Sequence, residues 1–105
     1  MEHLKTTKIF YKNDRVELSK FDKGSKSYYI SNGCTPLGFA KTYEEALDIF
    51  NKKVKQLKAR RTRELNKDIA FIKKEMDSID FDMVIELFQR DYYIDEATTR
   101  KMFNK

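Results

Sequence analysis

At 105 residues the chain can bury one modest core, and 40% hydrophobic against 37% charged residues places it among polar globular proteins rather than disordered ones. Its single cysteine, Cys34, excludes a disulfide-stapled fold and favours a reducing compartment. No apolar run approaches the roughly 18 residues of a membrane helix, and Met1–Tyr11 has no signal-peptide h-region, so a cytoplasmic setting is expected.

In chain order, the first forty residues read as strands. Ile9–Tyr11, Val16–Phe21, Ser27–Ser31 and Leu37–Ala40 are short and rich in β-branched and aromatic residues, with apolar alternation at Val16/Leu18, Tyr28/Ile30 and Leu37/Phe39. Turn residues separate them at Asn13-Asp14, Asp22-Lys23-Gly24-Ser25 and Asn32-Gly33. The last pair tolerates the positive φ of a tight hairpin. A four-stranded antiparallel meander is the simplest arrangement.

Thr42-Tyr43-Glu44-Glu45 then forms a capping box, and Tyr43, Leu47, Phe50, Val54 and Leu57 follow at helical spacing. The spacing resumes at Leu65, Ile69, Ile72, Met76 and Ile79. With no Gly or Pro between 43 and 79, one long helix is expected. Asp80 is the next N-cap residue, ahead of a face made of Phe81, Val84, Ile85 and Phe88; Asp95 caps a last short helix ending near Phe103. The expected fold is α+β: the meander, a long helix and a C-terminal helical hairpin. It forms a single domain with a sheet lobe (1–57) and a helical lobe (65–105).

Net charge is +5, and its distribution is uneven. Residues 51–67 hold eight basic side chains and one acid, Glu64, whereas residues 68–96 hold nine acids against Lys73, Lys74 and Arg90. Such asymmetry points to polyanion contact, or to a homodimer joined through the two segments. On a helical wheel Lys52, Lys53, Arg60, Arg63, Lys67 and Lys74 share a band about 100° wide, opposite the apolar residues, over roughly 33 Å. The band holds no acid between 52 and 74. Mixed signs are the rule on solvated faces, because acid–base pairs four apart support a helix. Arg61 falls inside the apolar sector, where local pairing with Glu64 is the plain reading. Aligned Lys and Arg displace counterions from a phosphate backbone, so these residues, with Arg61, form the expected nucleic-acid or partner surface.

Other chemistry is poorly supported. His3 and Cys34 lack companions at metal-ligand spacing, and Cys34 has only His3 to serve as an imidazole base. Gly33 and Gly38 sit in a hairpin and not ahead of a helix, so no phosphate loop is present. The expectation is a protein without catalytic residues, cofactor or metal. Tyr28 and Tyr29 face opposite sides of their strand, which exposes one; Tyr29 joins the expected contact residues as a stacking or anchoring ring.

Two local resemblances add to this reading. Leu37-Gly38-Phe39-Ala40-Lys41-Thr42-Tyr43-Glu44-Glu45-Ala46, following two strands, resembles the sheet-to-helix join of AP2-like and integrase arm-binding DNA-binding domains over residues 15–55. That resemblance implies DNA reading by an outer sheet face, here Arg15, Glu17, Ser19, Tyr29 and Ser31. Residues 84–103 resemble the short helical hairpins appended to many bacterial proteins, which implies an interaction element. In overall make-up the chain is similar to small accessory proteins of phages and conjugative elements of low-GC bacteria, among them anti-CRISPR inhibitors. The resemblance implies a non-enzymatic protein that inhibits or regulates a nucleic-acid-handling complex such as a Cas effector. A direct DNA-binding regulator and a self-associating interaction protein are the alternatives.

Overall fold

A computed structural model describes residues 1–22 and 24–105, so Lys23 of the expected second turn lies outside the described residues. Strands β1 (Glu2–Lys8), β2 (Arg15–Lys20), β3 (Tyr28–Asn32) and β4 (Thr35–Ala40) form one antiparallel sheet in sequential order. Helix α1 spans Tyr43–Lys74, a 3₁₀ turn covers Met76–Ser78, and α2 (Phe81–Tyr92) and α3 (Glu96–Phe103) complete the chain. The α+β meander with a long helix and two shorter C-terminal helices is therefore the fold. The chain divides into two compact units, one of residues 1–9 and 14–59, the other of residues 10–13 and 60–105.

The first unit is the sheet with the first half of α1. Val16, Leu18, Ile30 and Ala40 alternate onto the inner sheet face and are buried together with Ile9, Ala46 and Phe50. Gly38 is closely packed here: a Cβ would lie 3.0 Å from Ile49 Cγ2. Phe39 consequently points to the opposite face, so the alternation Leu37/Phe39 does not mark the core. Gly38 and Ala40 leave the room that the helix occupies.

Two strand details differ from the sequence reading. The first strand is Glu2–Lys8 and not Ile9–Tyr11. Its residues are polar because it is an edge strand, mostly exposed, and carries little hydrophobic signal. In the β3–β4 hairpin Asn32 is still paired, with Thr35, and the turn residues are Gly33 and Cys34. Gly33 has φ +60°, which suits glycine at the first position of a two-residue turn. Asn32 acts through its side chain instead: Oδ1 accepts from Arg15 N at 3.1 Å and Nδ2 donates to Asp14 Oδ1 at 3.1 Å. Cys34 is exposed in the turn.

Helix α1 starts as its cap dictates, with Glu45 N donating to Thr42 Oγ1 at 3.2 Å. It ends at Lys74, five residues before the end of the expected helix, where the backbone tightens into the 3₁₀ turn. In the second unit Asp80 Oδ1 accepts from Asp82 N and Asp95 Oδ1 from Thr98 N, capping α2 and α3 as expected. Those bonds from Thr98 hold the Asp95 carboxyl below the usual range. Tyr93 closes α2 in the left-handed region (φ 58°), and Ile94 N reaches Phe88 O at 3.1 Å. The core here is aromatic: Phe88 meets Tyr92 edge-on at 5.5 Å and Phe103 at 5.7 Å, beside buried Ile72, Val84 and Ile85.

Residues 10–13, expected to end a strand and begin a turn, form a hook belonging to the second unit. Phe10 and Lys12 both have positive φ (62° and 51°), conformations that cost about 1–2 kcal/mol per residue without glycine. Local contacts offset that cost. Tyr11 is buried and stacks on Tyr92 with ring centroids 5.2 Å apart, Lys12 N donates to Asp91 O at 2.7 Å, and Tyr93 Oη donates to Lys12 O at 2.5 Å. The apolar run Ile9-Phe10-Tyr11 reads as a strand because its aromatics are core-forming. Their core is the helical one.

Candidate nucleic-acid interface

The expected contact residues fall into four groups. Lys52 and Lys53 belong to the first unit, where Lys52 Nζ lies 3.0 Å from Asp48 Oδ2 and Lys53 Nζ donates to Gln56 Oε1 at 3.4 Å. The exposed Lys52–Asp48 pair is weak but compensates the Lys52 charge, whereas the neutral Gln56 amide leaves that of Lys53 in place.

Arg60, Arg63, Lys67 and Lys74 belong to the second unit and are all exposed. At about 100° per residue they share a band roughly 60° wide along some 21 Å of α1. No other residue between 60 and 74 falls inside the band; Ala70 and Phe71 border it, and the nearest carboxylate, Glu64, lies about 40° from Arg60. Lys67 Nζ stands 3.8 Å from Glu64 Oε1, a loose contact, and the Arg60 guanidinium lies over the Tyr11 ring at 5.5 Å.

Arg61 is not part of this surface. Half-buried, it donates from Nε to Phe10 O and from Nη2 to Tyr92 O, each at 2.7 Å. It does not make the local Glu64 pair that its spacing suggests. A cation in the apolar sector is tolerated because two backbone carbonyls, one from the hook and one from the end of α2, need a donor. Below it Tyr92 Oη donates to Asp68 Oδ2. Burial first, then the adjacent carboxylate, push the Tyr92 phenol well above its ordinary range, so it stays a proton donor. Arg61, Tyr92 and Asp68 form a latch, and the signal for it in the sequence is the mismatch of an arginine in an apolar stripe.

Tyr29 belongs to the first unit and lies on the outer sheet face with Phe39 at 5.2 Å and Phe21 at 5.9 Å. Sequence reasoning placed Tyr29 there but not its two companions, since Phe39 reads as a core residue until Gly38 is known to face the helix. The outer face is less basic than a DNA-reading sheet: Arg15 Nε is paired with Glu17 Oε1 at 2.7 Å, and Ser31 is buried at the same strand position.

Comparison with known proteins finds no matching family model, no similar curated protein and no similar solved structure. Among the described residues no helix is long and apolar enough to cross a membrane.

Proposed function

We propose that this protein acts by binding, without chemistry of its own, and that the exposed face Arg60–Arg63–Lys67–Lys74 docks on nucleic acid or on a nucleoprotein complex. The observation that supports this is the run of four cations along one helix face with no acid at the same azimuth. In its biological setting it is a mobile-element protein that restrains a nucleic-acid-handling machine, most concretely a Cas effector.

Four phosphate contacts correspond to a slope of about −3.6 in log affinity against log salt for duplex DNA. The triple variant Arg60→Glu, Arg63→Glu, Lys67→Glu should weaken nucleic-acid binding about ten-fold or more in an anisotropy titration while leaving the circular dichroism spectrum unchanged. Unchanged affinity for both duplex and single strands rejects the proposed contact. Inhibition is read separately: the protein should co-purify with its effector and lower cleavage in a reconstituted reaction, and full cutting at large excess removes that part of the reading.

A further inference from the structure

The outer face of the sheet carries a feature that the fold does not use. The core of the first unit lies on the inner face, yet Phe21, Tyr29 and Phe39 cluster on the other side, and Phe39 is 43% exposed. The strand register creates the cluster, because Ser19, Tyr29 and Phe39 are direct cross-strand neighbours on β2, β3 and β4. The Phe21 and Phe39 planes are within 10° of each other, and Tyr29 lies 36° from Phe39. The Lys26 ammonium stands 5.0 Å from the Phe39 centroid.

We infer that this face is a stacking platform for unpaired bases of single-stranded nucleic acid, with Tyr29 and Phe39 taking neighbouring bases and Lys26 the adjoining phosphate. The inference deepens the function proposed above by naming the ligand class, at a surface in the other unit. Three observations favour this occupant over a protein. The exposed apolar area centres on Phe39, an aromatic ring of the kind on which any base stacks, with the half-buried rings of Tyr29 and Phe21 beside it. The exposed neighbours on the same face of β1 are His3, Thr6 and Lys8, donors suited to phosphate and sugar oxygens. Glu17 is matched by Arg15 at 2.7 Å, and Lys8 and Lys26 outnumber the remaining carboxylate, Asp22, which leaves an excess positive charge that complements phosphate.

The test uses the full chain and two labelled 12-mers, one of thymidines and one with the same backbone but no bases. The thymidine strand should bind about ten-fold or more tightly than the abasic one, and the variant Tyr29→Ala, Phe39→Ala should bind both at the abasic level. Equal affinity of the wild type for the two strands, or a preference that survives in the variant, overturns the inference. So does a face silent toward both strands that becomes protected in a complex with a protein. Should the double variant misfold, Phe39→Ser alone and a photocrosslink from an iodouridine strand to unaltered protein decide the matter. Label on Tyr29 or Phe39 supports the platform, and label confined to other residues refutes it. The charge-reversed α1 variant separates the two readings. If it weakens both strands equally and keeps the preference for bases, both hold; if it binds as wild type, the helix reading fails and the platform stands.

Discussion

Arg61→Ala removes the donor of two 2.7 Å bonds and strands the carbonyls of Phe10 and Tyr92. Hydrogen bonds to charged groups contribute about 1.5–3 kcal/mol each, and the Phe10 bond faces solvent, so the lower part of that range applies to it. The sum is about 3 kcal/mol, a large share of the roughly 5–15 kcal/mol that stabilises a domain. With a urea slope near 1.5 kcal/mol per molar, the unfolding midpoint followed by circular dichroism should fall by about 2 M. Arg61→Lys retains the charge but lacks the forked geometry and should recover less than half of the loss. The loss should be local first. Phe10 and Lys12 hold positive φ only while the hook is docked, so the Lys12 amide, bonded to Asp91 O at 2.7 Å, should lose hydrogen-exchange protection before the amides of β2 and β3 do. An Arg61→Ala protein within about 0.5 kcal/mol of wild type, with Lys12 still protected, refutes the latch.

Two further outcomes follow from packing and titration. Gly38→Ala places a Cβ 3.0 Å from Ile49 Cγ2 and should cost about 1–2 kcal/mol, lowering the melting temperature by several degrees; Ile49→Ala in the same chain should make the two changes less than additive. The Tyr92 phenol is raised in the folded state, so its contribution is complete below the unfolded value near 10 and is lost as pH rises above it, once the unfolded phenol ionises first. Urea midpoints measured from pH 8 to 11 should therefore fall more steeply for wild type than for Tyr92→Phe, and parallel curves count against the Asp68 bond.

What was legible in the chain, and what was not, divides along the range of the interactions. The meander, the Thr42, Asp80 and Asp95 caps and the apolar faces of the helices are local consequences of residue type and spacing. They could be read before any contact was known. The face Arg60–Arg63–Lys67–Lys74 was equally readable, because helical geometry alone aligns those positions. Strand β1 escaped because an exposed edge carries no apolar alternation, and Ile9-Phe10-Tyr11 was misplaced because a hydrophobic run does not say which core it serves.

Tertiary structure decided three matters that no window of sequence contains. It turned Arg61 inward, since two carbonyls distant in the chain needed a cation's hydrogens. It turned Phe39 outward, since the helix required the space beside Gly38. And it set Phe21, Tyr29 and Phe39 together across three strands, a grouping that depends on register, which side-chain order along any one strand cannot specify.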